Sequence, residues 1–207
     1  TGKIKILLNN YFYMLIEYNK TDLMLVSDIQ LGLGVGVELE IPSSVKKVLI
    51  ENMDVSNKTR LVNLFHSRYE LETVVLKNFD TRKVKNFKSM FCQCYALKNV
   101  TIEGLRTDSA ENLAYMFYRC NSLKELNLNH FDVSKVLNFE SMFDGCSELE
   151  TLRIDKWVLN KEKIINVHLM FNKCNKLKVI DNKSQILYDQ NEEQVGRFGC
   201  EELQNMG

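Results

Sequence analysis

One phrase, Met-Phe-x-x-Cys-x-x-Leu, recurs along this chain and limits what it can fold into. It stands at Met90-Phe91-Cys94-Leu97, Met116-Phe117-Cys120-Leu123, Met142-Phe143-Cys146-Leu149 and Met170-Phe171-Cys174-Leu177, at steps of 26, 26 and 28 residues. A degenerate copy, Leu64-Phe65-Arg68-Leu71, lies 26 residues before the first. A fixed period in the range of roughly 20–50 residues marks units that cannot bury their apolar faces alone and stack on their neighbours. The expected architecture is therefore a solenoid.

A second pattern precedes each phrase. Val45, Val48, Ile50 and Met53 align with Leu71, Val74, Leu76 and Phe79, then Leu97, Val100, Ile102 and Leu105, then Leu123, Leu126, Leu128 and Phe131, then Leu149, Leu152, Ile154 and Trp157. This L-x-x-L-x-L-x-x-apolar run resembles the leucine-rich repeat, whose short strand lines one side of a horseshoe. The Asn or Cys usual after that strand is replaced here by large apolar residues, so the turn must be held by apolar stacking. Within the later half of each unit, Val136, Phe139, Met142, Phe143 and Cys146 fall at i, i+3, i+6, i+7 and i+10, which predicts a short helix. Ser134, Ser56 or Asp108 would cap it, with Glu111 completing a capping box on Asp108, whereas Arg82 in the same column cannot cap. Gly145 sits where a left-handed residue would end it. The expected fold class is α/β, with a strand and a short helix in each repeat of about 26 residues. The two extra residues of the 28-residue step fall within Val158–Lys163, and are assigned to a surface loop.

The ends differ. Residues 1–40 lack the phrase. Ile4–Leu8 and Tyr11–Ile16, separated by Asn9-Asn10, predict a β-hairpin, with a helix over Tyr11–Tyr18 as the competing reading. Strict alternation from Ile29 to Ile41 predicts a long half-buried strand. The glycines Gly32, Gly34 and Gly36 on its other face lack the Lys-Ser or Lys-Thr of a phosphate loop. The domains expected are a β-rich N-terminal cap over 1–40, the repeats over 41–182 and a C-terminal cap or tail over 183–207. Thr1 is not an initiator Met, and the chain is read as a mature product or an expressed fragment.

Little chemistry is visible. The 27 basic and 27 acidic residues cancel, which argues against nucleic acid or an anionic membrane as main partner. No apolar run reaches the roughly 20 residues of a membrane span. Cys94, Cys120, Cys146 and Cys174 share one column and should stack about 5 Å apart, as a line and not as the converging set that zinc requires. They are expected to be buried reduced thiols. Cys92 and Cys200 lie outside the column, and are the two expected to react with a thiol reagent. His66, His130 and His168 occupy different columns, and no hydrolase, zincin or Walker phrase occurs. No catalytic residue, metal ligand or cofactor site is assigned, and the chain is expected not to be an enzyme.

What remains is a surface. Stacked strands would align Leu49, Val75, Thr101, Asn127 and Arg153 in one ladder and Glu51, Lys77, Glu103, Asn129 and Asp155 in the next. A third, at the strand starts, holds Lys46, Glu72, Lys98, Lys124, Glu150 and Lys178. Its neighbours Glu72/Lys98, Lys124/Glu150 and Glu150/Lys178 carry opposite charge, as do Glu51/Lys77 and Lys77/Glu103 in the second. The partner-binding residues assigned are Thr101, Glu103, Asn127, Asn129, Arg153 and Asp155.

The run Asn129-His130-Phe131-Asp132-Val133-Ser134 through Met142-Phe143-Asp144-Gly145-Cys146 also resembles the BspA-type leucine-rich repeats, over about residues 41–182. Phe79-Asp80 and Phe131-Asp132 match that family's pattern, while Leu105-Arg106 and Trp157-Val158 depart from it. The resemblance implies a protein exposed on or secreted from the cells of bacteria or parasitic protists, an adhesin-like module binding a host protein. A monomeric interaction scaffold is therefore expected at the cell surface or secreted. The alternative is a targeting domain of a larger protein, such as an effector in the host cytosol.

Overall fold

The computed structural model describes residues 2–8, 12–18, 46–51, 58–77, 80–102, 104–160, 162–177 and 179–181. Among the described residues there are eight strands: β1 (Gly2–Leu8), β2 (Phe12–Tyr18), β3 (Lys47–Glu51), β4 (Thr73–Lys77), β5 (Asn99–Thr101), β6 (Glu125–Asn127), β7 (Thr151–Arg153) and β8 (Val179–Asp181). β1 and β2 pair antiparallel, with Gly2 opposite Tyr18 and Leu8 opposite Phe12, so the hairpin forms and not the competing helix. The alternating stretch Ile29–Ile41, Cys200 and the tail over 183–207 lie outside the described residues.

The other six strands are short and parallel, in two open three-stranded sheets ordered β3-β4-β5 and β6-β7-β8. The register is the repeat itself. Val48 pairs with Val74, Val74 with Val100, and Leu126 with Leu152. Thr151 pairs with Val179, which carries the 28-residue step. The extra residues fall in a segment where Val158 and Ile164 are both largely exposed, as a tolerated surface insertion requires. The strand-facing apolar columns are buried together with the Phe, Met, Cys and Leu of each phrase, in one continuous core.

The expected helix is not there: the described residues contain no helix. An α-helix would send each N–H to the carbonyl four residues back. Here alternate N–H groups leave the repeat altogether. Those of Phe87, Ser89, Phe91 and Gln93 donate to the carbonyls of Asn112, Ala114, Met116 and Tyr118 in the next unit, at 2.7–3.0 Å. The intervening N–H groups of Met90, Cys92 and Cys94 close tight turns onto Phe87, Ser89 and Phe91. The same alternation recurs at Leu113–Cys120 and Phe139–Cys146. The third residue of every second turn has positive φ, as type II turns demand: Ser89 and Gln93, Tyr115 and Arg119, Ser141 and Gly145, Leu169 and Lys173. A left-handed residue every fourth position breaks the helix and turns alternate peptide units toward the neighbouring repeat. Successive turns still bring every third or fourth side chain inward, so the buried set mimics a helix face. The proposed caps change role accordingly. Asp108 pairs with Arg106 at 2.6 Å, and Ser134 donates its N–H to Asp132 at 3.0 Å.

Non-glycine residues at positive φ cost about 1 kcal/mol each, so glycine is favoured at these sites. Gly145, at φ +78°, is the one glycine in the two left-handed columns of these turns. A Cβ there would lie 3.0 Å from Arg119 Cγ and 3.4 Å from Arg119 Cα. Gly145→Ala should lower stability by about 1 kcal/mol in urea denaturation. The cost is bounded because Gln93, Arg119 and Lys173 hold the equivalent conformation with full side chains. No change would mean that this turn relaxes at no cost.

Two ladders thread the core. Phe65, Phe91, Phe117, Phe143 and Phe171 stack nearly parallel, with centroids 5.2–5.8 Å apart. Beside them run the column cysteines, free and buried as expected. Each donates its S–H across to the preceding repeat: Cys94 to the Phe65 carbonyl at 3.0 Å, Cys120 to Phe91 at 3.2 Å, Cys146 to Phe117 at 3.1 Å and Cys174 to Phe143 at 3.1 Å. A small, weakly donating, polarisable side chain suits that place. Cys92 departs from expectation, because it too is buried: Ser89 precedes it in a turn folded back on the core.

Candidate functional site

On the strand side, β4 alternates: Val74 and Leu76 are buried, Lys77 is exposed, and Thr73 and Val75 are half-buried. β6 and β7 likewise bury Leu126 and Leu152 and expose Asn127 and Arg153. Period-two alternation thus sets the outward ladders. Asn127 and Arg153 are direct register partners. Asn127 Oδ1 accepts the Asn129 N–H at 3.1 Å, which orients both. Asn129 and Asp155 are half-buried, and the Oδ1 of each is buried with no hydrogen-bond partner among the described residues. Such acceptors are costly to leave unmet, which makes them the places where a donor gains most. Thr101 belongs to the other sheet, paired with Val75. Glu103 lies outside the described residues. The structure therefore joins Asn127 with Arg153, partly buries Asn129 and Asp155, and separates Thr101 from all of them.

The charge ladder is partly formed. Glu72 sits between Lys98 at 2.9 Å and Lys46 at 3.6 Å. The Lys98 hydrogen bond is the main reason its carboxyl is held below the usual range. These pairs are exposed and add little to stability. Lys124 and Glu150 make no ion pair; their repeats meet instead through the Glu150 N–H and the Lys124 carbonyl at 2.8 Å. The expected pairs involving Glu103 and Lys178 lie outside the described residues, and Glu51 and Lys77 are placed as register partners by their backbone.

The separation of Thr101 from Asn127 is a real opening. At three steps of the stack, the residue before the strand donates to the carbonyl one repeat back: Glu72 to Lys46, Lys98 to Glu72 and Glu150 to Lys124, at 2.7–2.9 Å. At the step between β5 and β6 the Lys124 and Glu125 N–H groups make no such bond to Lys98. Nor does the Ile102 N–H meet the Asn127 carbonyl, although one step on Leu128 meets Arg153 at 2.9 Å. A cavity of about 700 Å³ occupies the break, lined by Lys98, Asn99, Val100, Thr101, Ser122, Lys124, Glu125 and Glu148. Val100 is half-buried, where its column mates Val74, Leu126 and Leu152 are fully buried. On the far side the same two repeats stay closed. Asn86, Asn112, Asn138 and Asn166 form a continuous parallel bridge ladder, and Phe91 stacks on Phe117 at 5.2 Å.

Neither the Asn ladder nor the opening was expected from the residues. The Asn ladder stands four residues before each Met, and each Oδ1 accepts the N–H two residues on at 2.9–3.0 Å. Its signal was the recurrence of Asn86, Asn112, Asn138 and Asn166 at the repeat spacing. The opening also had a signal. In the ladder Lys46, Glu72, Lys98, Lys124, Glu150, Lys178, the step from Lys98 to Lys124 alone joins like charges, and like charges directly opposite destabilise strand pairing.

Among the described residues no helix is long and apolar enough to cross a membrane. No curated protein matches the chain, and no solved structure does. A family model matches residues 59–184, the span that holds every full copy of the phrase, and by that match the chain belongs to the family described as Mycoplasma protein of unknown function, DUF285.

Proposed function

We propose that this chain is a leucine-rich-repeat solenoid of BspA type, acting as a non-enzymatic protein–protein interaction scaffold, exposed at the cell surface or secreted. One observation carries the reading. The residues that recur from repeat to repeat, the stacked Phe, the Cys column and the strand leucines, are buried. The residues that change, Val75, Thr101, Asn127 and Arg153, sit on the outward side of the strands. Identical interiors with changing exteriors are what a repeat scaffold uses to present a partner-specific surface. The polar character of that surface suits the rim and hydrogen-bonded parts of a protein interface.

The test is a pull-down from host-cell surface extract with the full chain, wild type against Asn127→Ala plus Arg153→Ala. Both side chains are exposed, and the fold loses only the exposed Asn129 N–H to Asn127 Oδ1 bond, so the variant should still fold. Loss of an Arg-centred contact should weaken capture of the retained protein about tenfold. Equal capture by both baits rejects this face as the binding surface.

A further inference from the structure

We propose that the opening between β5 and β6 binds an extended peptide segment of a partner protein, with an acidic side chain set opposite Lys124. The proposal deepens the scaffold reading and rests on it. Three observations point to this occupant. First, the break leaves main-chain groups on both of its edges, the Lys98 carbonyl on one and the Lys124 and Glu125 N–H groups on the other, without the bonds made at the neighbouring steps. Main-chain donors and acceptors at a strand edge are met by another extended chain. Second, the volume of about 700 Å³ is within the range of ligand-sized cavities, and half-buried Val100 supplies an apolar floor.

Third, the charges select the side chain. Lys98 is engaged by Glu72 at 2.9 Å and Glu148 by Lys176 at 2.7 Å. Lys124 has no ion pair among the described residues and lines the opening. A carboxylate placed there would also relieve its repulsion with Lys98. Glu125 lines the same opening, so a second acid beside the first is disfavoured. The segment recognised is thus extended, carries a single acidic residue, and has polar or β-branched neighbours.

The opening persists for the same reason that it binds. Stacking on the far side holds the repeats at fixed spacing, while the two lysines keep the near side apart. Lys124→Gln removes the repulsion without making a new like-charge step, since an uncharged side chain then stands between Lys98 and Glu150. The variant should close the ladder, and the Lys124 and Glu125 main-chain amides should then exchange with solvent more slowly.

The experiment selects a displayed library of random heptapeptides against the full chain, then measures the enriched peptides by amide chemical shifts and titration. Enriched peptides should carry one Asp or Glu among β-forming residues and shift the amides of Asn99, Thr101 and Glu125. They should bind the Lys124→Gln chain about two- to fivefold more weakly, the scale of one exposed charge pair. Enriched peptides that shift amides elsewhere, or that bind the variant equally, overturn the site and leave the scaffold reading intact. Failure to enrich any peptide also overturns it, and the scaffold reading is then judged separately by the pull-down on Asn127 and Arg153.

Discussion

Phe117→Ala should lower the unfolding free energy by about 3–5 kcal/mol, read from the urea midpoint of the full chain. Phe117 is fully buried and stacks on both sides, on Phe91 at 5.2 Å and on Phe143 at 5.8 Å. Its removal leaves a void the length of one ring and deletes two aromatic contacts, each worth about 0.5–1.5 kcal/mol beyond area burial. The neighbouring repeats cannot collapse to fill it, because the inter-repeat hydrogen bonds of Phe91 to Met116 and of Phe117 to Met142 fix their spacing at 2.8 and 2.9 Å. The same substitution at Phe65, which stacks on Phe91 alone among the described residues, should cost less. Equal, small losses at both positions would show that the ring ladder is not a shared core.

Raising the pH above about 9 should destabilise the fold. Burial pushes the thiols of Cys94 and Cys146 up to about 12. It also pushes Cys120 well above its ordinary value, and Cys92 upward. The sign follows from linkage. Unfolded thiols ionise near pH 9, while those of Cys94 and Cys146 hold their protons to about pH 12 in the folded chain. The unfolded state therefore binds fewer protons across that window, so stability is level below about pH 9 and falls as pH rises toward 12. The urea midpoint should drop steadily from pH 9 to 11, and less steeply in Cys146→Ala at matched starting stability. A midpoint that stays flat through pH 11 would contradict the buried column.

The same burial governs reactivity, since only the thiolate attacks. With the Cys94 and Cys146 thiols held at about 12 against an ordinary value near 9, their thiolate fraction at pH 8 falls about a thousandfold. Cys120 and Cys174 are buried in the same column. Cys94, Cys120, Cys146 and Cys174 should therefore label only at the rate of unfolding. Cys92, buried although it lies outside the column, should be slow with them. Rapid labelling of four or more sites without denaturant would be incompatible with this interior.

Much of this was legible from the residues. The repeat step fixed the register before any coordinate: Val48 against Val74 against Val100, and Thr151 against Val179 across the 28-residue step. The Cys column, the buried strand leucines and the left-handed Gly145 could be read for the same reason. A side chain recurring at the stacking period must meet its own copy, and only apolar or small residues tolerate that indoors.

Other features depended on partners one repeat away. Val136, Phe139, Met142, Phe143 and Cys146 satisfy a helical period equally well as a spiral of turns, and local sequence cannot separate the two. Hydrogen bonds to the next repeat decided it, offsetting the left-handed strain at Ser89, Tyr115, Ser141 and Leu169. Cys92 was buried by the same turns. The break between β5 and β6 was likewise a tertiary outcome. Lys98 and Lys124 were visible as like charges in the chain, but only the stack placed both in the lining of one cavity, with the Phe91–Phe117 ring contact closed behind it.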